Sequence, residues 1–271
     1  MQQLADGARK LGIPLTDDQL DAFQIYYETL IDWNMRVNLT RITDYEAVQV
    51  KHFLDSLSCL SVIQHVSADS GRASAAGPQA IDVGAGAGFP GVPLKIAMPT
   101  LRLTLLEATG KKVEYLGFLV KRLALTDVKV VKARAEEAGQ DPTHREGYDL
   151  ALARALAGMA TLAELTLPLV RVGGLVIAQK GENPTAEVEA AQNAIVTLGG
   201  RVKEIQPVAV PGLEGARHLV VLEKVSPGPP KYPRRPGMPS GRNTREGRRV
   251  QGAWECLPLA TGFGVEGVKA A

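Results

Sequence analysis

From Ala80 onward, strand-length apolar runs alternate with connections long enough to hold a helix, and no other feature restricts the fold of this chain so tightly. The runs are residues 80–83, 101–106, 128–131, 148–152 and 175–178. They are apolar on both faces, as strands buried inside a parallel sheet must be. The chain therefore reads as an α/β sheet with helices on both sides. Two later runs, 202–210 and 218–225, flank Pro211-Gly212-Leu213-Glu214-Gly215 and predict a closing antiparallel pair.

Ahead of the sheet, residues 1–66 carry a helical rhythm. Thr16-x-x-Gln19 is a capping-box pattern followed by Leu20, Phe23, Tyr27 and Leu30, and Thr43-x-x-Glu46 predicts a second start before Val50, Phe53, Leu54 and Leu57. Residues 67–79 are small and polar, as in a linker. The sheet domain spans 80–225, and the Pro, Gly, Arg and Ser composition of 226–271 predicts a basic, poorly ordered tail. A chain of 271 residues, 45% hydrophobic, can bury a sizeable core. Its most apolar stretch, 150–170, is broken by Arg154, Glu164 and Pro168, short of the roughly 20 residues that cross a bilayer. With no secretory apolar core near the N-terminus, a cytoplasmic protein is expected. Cys59 and Cys256 stand far apart and offer neither a redox pair nor a metal set, so no metal is expected.

The net charge of +2 is uneven: residues 231–249 hold seven basic residues and one acid, against 23 basic and 26 acidic in 1–230. Such a tail either meets an anionic partner or keeps the protein soluble.

The strongest motif, Ile81-Asp82-Val83-Gly84-Ala85-Gly86-Ala87-Gly88-Phe89-Pro90-Gly91, joins the first strand to its helix, where open α/β sheets bind ligands. Glycine there turns the backbone sharply and admits a ligand closer than a Cβ would. Glu107, at the end of the next strand, can accept the two ribose hydroxyls of a nucleoside. Gly86-x-Gly88-x-x-Gly91 also satisfies the dinucleotide fingerprint, so a nicotinamide-dependent oxidoreductase competes. Pro90 and Pro93 count against it, removing N–H groups that a pyrophosphate would need. Asp82-Val83-Gly84-x-Gly86-x-Gly88 instead resembles the first motif of class I S-adenosylmethionine-dependent methyltransferases, whose cofactor has no phosphate. Arg134-Ala135-Glu136, after the third strand, can read adenine.

Methyl transfer from a sulfonium is an in-line displacement, and positioning alone can supply about 7–11 kcal/mol. Neither cysteine ends a strand, the fourth strand ends in Ala153-Arg154-Ala155 rather than an amine-methylating Asn/Asp-Pro-Pro-Tyr, and no histidine is expected at the cleft, His144 lying in a loop. A nucleophile needing no deprotonation, such as guanine N7, satisfies these absences. Lys231, Tyr232, Arg234 and Arg235 combine cations with an aromatic that can stack on a base. Because N7 faces the deep major groove of an RNA helix, the target must sit in a loop or opened segment. Arg154 among apolar neighbours needs a carboxylate or a ligand, and Lys180 faces RNA or solvent.

Over about residues 20–239 the chain resembles the RsmG family, bacterial methyltransferases of small-subunit ribosomal RNA once called glucose-inhibited division protein B. The resemblance is carried by Trp33-Asn34-x-x-x-Asn38-Leu39-Thr40, His52-x-x-Asp55-Ser56, residues 82–91, Arg134-Ala135-Glu136-Glu137, Ala153-Arg154-Ala155, Gly173-Gly174 and Tyr232-Pro233-Arg234-Arg235-Pro236-Gly237. It implies a class I methyltransferase (Rossmann-like) fold, S-adenosyl-L-methionine as cofactor, and methylation of guanine N7 in a 16S rRNA loop near the decoding site. The substrate is the RNA itself or the RNA within a ribosomal subunit or assembly intermediate. By the same resemblance Gly84, Phe89, Glu107, Ala108, Thr109, Ala135, Glu136 and Arg154 contact the cofactor, and Asn34, Asn38, His52 and Asp55 become cleft residues without an assigned step. In isolation Trp33 and His52 read as core residues and Asn38 as a turn. Residues 241–271 have no counterpart in the family pattern, and Gly110 stands where a bulkier residue is common. A third reading is a ribosome-assembly protein that binds rRNA without turnover.

Overall fold

The computed structural model describes residues 1–63 and 77–239. Seven strands form one sheet: β1 (Gln79–Val83), β2 (Arg102–Glu107), β3 (Val128–Lys132), β4 (Tyr148–Arg154), β5 (Val170–Lys180), β6 (Gly200–Val208) and β7 (Arg217–Lys224), in the order β3-β2-β1-β4-β5-β7-β6. β1 to β5 run parallel, while β7 lies antiparallel between β5 and β6. This is the Rossmann-like, mostly parallel sheet with an antiparallel C-terminal pair that the sequence predicts.

Alternate residues of each strand face opposite sides, which accounts for the unbroken apolar runs. Leu103, Leu105, Leu150, Leu152 and Ile177 join one core with the N-terminal helices and with α5 (Gly91–Ala97) and α6 (Gly110–Arg122). Ile81, Leu106, Ala151, Ala153 and Val176 face the other core, beneath α8 (Met159–Thr166) and α10 (Gln192–Thr197). Short α7 (Ala135–Ala138) and α9 (Thr185–Ala190) complete this side.

The N-terminal helices have no core of their own. In α1 (Gln2–Lys10) and α2 (Asp17–Asn34), Leu4, Phe23, Tyr26 and Leu30 are fully buried against the first core. The capping box forms as predicted: Gln19 N donates to Thr16 Oγ1 at 3.3 Å and Thr16 N to Gln19 Oε1 at 2.9 Å. The second start differs by one residue. Asp44 rather than Thr43 caps α3 (Tyr45–Val48), its carboxylate accepting from Ala47 N at 2.8 Å. A π-helical segment, Gln49–Leu54, follows and leads into α4 (Asp55–Leu57). Such wide turns occur often at functional sites. Here it carries His52 and precedes Asp55.

The expected linker differs in one respect, since Gln79 already belongs to β1; its residues 67–76 lie outside the described residues. The poorly ordered tail is corrected for 226–239, which pack as a strap. Arg145 donates to the carbonyls of Gly228, Pro229 and Tyr232, and Gln140 to those of Pro230 and Pro233. Backbone acceptors that a composition argument leaves to water are taken up by these two side chains. Residues 240–271, Cys256 among them, lie outside the described residues.

Candidate functional site

The loop after β1 turns on three glycines in the left-handed region, with φ of 74° at Gly84, 58° at Gly86 and 96° at Gly88. At Gly88 the need is doubled, because a Cβ would stand 2.6 Å from the Tyr26 hydroxyl. That hydroxyl donates to Ala87 O at 2.7 Å and fixes the loop to α2. Glu107 ties the loop to β2. Its Oε2 accepts from Gly86 N at 3.0 Å and its Oε1 from Thr109 N at 2.8 Å. Glu107 is therefore a buried organiser of the loop rather than a solvent-facing acid, and each oxygen retains a lone pair for a ligand. Ala108 and Thr109, with Arg134 and Glu137, line a cavity of about 380 Å³ at the ends of β2 and β3.

Asp82, at the root of the loop, accepts from Gly91 N at 2.8 Å. Burial raises its carboxyl to about 7, against the opposing pull of that N–H and of Arg154. Phe89 lies over the cleft between His52, stacked at 4.5 Å, and the Arg154 guanidinium, 5.7 Å from its ring centre. The expectation of no histidine at the cleft is thus corrected: the π-helical segment delivers His52 from a part of the chain remote from the sheet motifs.

Arg154 ends β4 and is aimed by Ala155, whose φ of 51° makes the chain turn abruptly. Its Nη2 donates to Lys51 O at 2.8 Å and lies 3.1 Å from His52 Nδ1 and 3.4 Å from Asp55 Oδ2. His52 Nδ1 also lies 3.1 Å from Lys51 O, and its Nε2 lies 2.8 Å from Thr40 Oγ1, so both ring nitrogens are engaged. Asn34 Oδ1 accepts from Leu39 N and Thr40 N and so holds that threonine, whereas Asn38 is exposed. Burial, then the Arg154 charge, lowers His52 to about 4. It is neutral at pH 7 and positions Arg154 and Phe89.

Asp55, Arg154 and Lys180 share a second cavity of about 340 Å³ with Gln179 and Arg217, two residues that motif reading missed. Both arrive through the β5–β7 pairing, which sets Lys180 opposite His218. Burial raises the Asp55 carboxyl, and Arg154 and Arg217 act against the rise.

Three of the remaining expected contacts have partners within the protein. Glu136 Oε1 accepts from Gly237 N of the strap at 3.0 Å, so this residue and Ala135 before it stand where the strap crosses α7. Arg234, expected at the RNA, is engaged within the protein: its fork grips the fully buried Glu164, with Nη2 2.6 Å from Oε2. Lys180 Nζ is likewise engaged, 2.9 Å from Glu187 Oε1 and from Ala157 O. Lys231 and Arg235 remain exposed, and the Lys231 ammonium sits 5.3 Å from the Tyr232 ring centre.

The family model described as rRNA small subunit methyltransferase G matches residues 19–220. A protein called ribosomal RNA small subunit methyltransferase G from Dehalococcoides mccartyi (strain CBDB1) is 47% identical over 240 residues, 89% of this chain and 98% of that one. One of the same description from Roseiflexus sp. (strain RS-1) is 48% identical over 242 residues, 89% of this chain and 99% of that one. A solved structure described as a predicted O-methyltransferase from Agrobacterium tumefaciens matches 55% of this chain and 74% of that one, at 21% identity and a TM-score of 0.44, too distant to bear on function. The nicotinamide and non-catalytic readings find no support among these relatives. The chain belongs to the rRNA small subunit methyltransferase G family.

Proposed function

We propose that the chain transfers a methyl group from S-adenosyl-L-methionine to N7 of a guanine in a loop of small-subunit (16S) rRNA near the decoding site. The observation that carries this reading is the buried Glu107 carboxylate, which accepts from Gly86 N of the glycine loop and from Thr109 N, the latter residue lining the 380 Å³ cavity at the ends of β2 and β3. The residues fit the cofactor. Glu107 would hold the ribose, Ala108, Thr109, Ala135 and Glu136 would flank the adenine, and Gly84, Gly86, Gly88 and Phe89 would border the methionine portion. When bound, the cofactor supplies an electrophilic methyl on a sulfonium.

The chain's own residues orient rather than exchange protons. His52 is neutral with both ring nitrogens engaged, and Asp55 stands between two guanidinium groups. Guanine N7 suits such a cleft, because its lone pair attacks without losing a proton. Arg154 ties the Phe89 loop to the second cavity, and positioning of that kind is the main contribution such a cleft can make to methyl transfer. The exposed Lys231 and Arg235 supply phosphate contacts, and the RNA is met either free or within a subunit or assembly intermediate.

Calorimetry with S-adenosylmethionine should give one site per chain. Mass spectrometry of rRNA nucleosides from cells with and without the protein should differ by one N7-methylguanosine. No binding, or no such difference, would remove the reading.

A further inference from the structure

Five buried side-chain atoms have no hydrogen-bond partner among the described residues, and three of them belong to residues around the 340 Å³ cavity: Asp55 Oδ1, Gln179 Oε1 and Arg154 Nη1. A buried polar atom left unpaired costs about 1–3 kcal/mol, and folded proteins leave few of them. Their gathering at one cavity calls for an explanation, and a ligand offers one. The set comprises two acceptors and one donor.

We propose that this cavity grips the Watson–Crick edge of the target guanine, an inference that rests on the guanine-N7 reading above. That edge offers two adjacent donors, N1–H and the 2-amino group, and one acceptor, O6. The Asp55 carboxylate takes the 2-amino group, the Gln179 amide oxygen takes N1–H, and Arg154 Nη1 donates to O6. Adenine presents one donor and one acceptor there and leaves an acceptor of the pocket unpaired. Leu156 and Leu162 supply an apolar wall for the base. N7 lies on the base's other edge, so a base held this way turns its nucleophile away from the gripping groups and leaves it free to react.

The pocket is coupled to the rest of the site. Gln179 Nε2 donates to Asp55 O at 2.6 Å, which holds the two acceptors together. Arg154 reaches from Asp55 to Phe89 in the glycine loop. Arg217 Nε stands 3.3 Å from Asp55 Oδ1 without making a hydrogen bond, and its side chain is one-third exposed. Moving aside, it exchanges an imperfect ion pair for a hydrogen bond from the base, while the Arg154 ion pair with Asp55 is kept.

The test uses small-subunit RNA carrying inosine in place of the methylated guanosine, which removes the 2-amino group and nothing else. The unmutated chain should lose about 10- to 100-fold in kcat/KM on the inosine RNA. Asp55→Asn should lose a similar factor on guanosine RNA but less than about threefold more on inosine RNA, with unchanged S-adenosylmethionine affinity. Equal rates of the unmutated chain on the two RNAs would overturn the proposal, as would penalties that multiply in the variant. The comparison on the unmutated chain decides the matter even if Asp55→Asn does not fold. Absence of N7-methylguanosine from the guanosine RNA would instead defeat the underlying reading, so the two failures are told apart.

Discussion

Two buried titratable side chains in the site pull stability in opposite directions with pH. His52, lowered to about 4, is protonated more readily in the unfolded chain, so it destabilises the fold as pH falls from about 6.5 toward 4. Asp82, raised to about 7, keeps its proton in the fold, so it costs stability as pH rises from about 4 to 7. Asp82→Asn should remove the second effect and keep an acceptor for Gly91 N. Urea melts should show the variant gaining about 2 kcal/mol on the unmutated chain between pH 5 and pH 8. Gly88→Ala should lose about 2–4 kcal/mol, since its φ of 96° and the Tyr26 hydroxyl both oppose a Cβ. A thermal melt with a drop under about 5 °C would contradict this. The glycines and Glu107 were legible in the sequence because a strand, its turn and the next strand end place them by local rules. Asp55 was legible only through the family motif that starts at His52, and Gln179 and Arg217 were not legible, because separate segments bring them to Asp55 and neither carries a motif of its own.

Elements show where composition misleads. The Pro- and Arg-rich stretch after β7 has the makeup of a solvated tail, yet the two arginines among its described residues have different fates. Arg234 is about one-fifth exposed and holds the buried Glu164, whereas Arg235 is exposed. Arg234→Ala should therefore cost about 3 kcal/mol by stranding a buried carboxylate, while Arg235→Ala should stay within about 0.5 kcal/mol. Equal effects in denaturant melts would mean that the strap contributes nothing to folding. A charge run does not say which of its members meets a partner inside the protein; that depends on Glu164, 70 residues earlier on the face of α8. The capping box of α2 was readable because both partners lie within one turn. The second start shifted because Asp44 offers a carboxylate where Thr43 offers only a hydroxyl.

At the scale of the whole molecule, the N-terminal helices and the sheet share one apolar core, with Phe53 between Phe23, Tyr26 and Phe89 at ring separations of 4.9 to 6.1 Å. A chain lacking residues 1–63 should expose that face and pass to the insoluble fraction. A soluble, cooperatively melting product would show that the sheet stands alone. Strand positions followed from apolar runs, but strand order did not, because periodicity says which face a residue takes and not which neighbour a strand chooses. The placing of β7 between β5 and β6 has a temporal side. A ribosome makes residues 200–208 before the partner they pair with, so until 217–224 emerge both β6 and the flank of β5 are raw edges open to other chains. Half of the hairpin is born waiting, and a translation stall between the two strands would leave its nascent product at the greatest risk of aggregation.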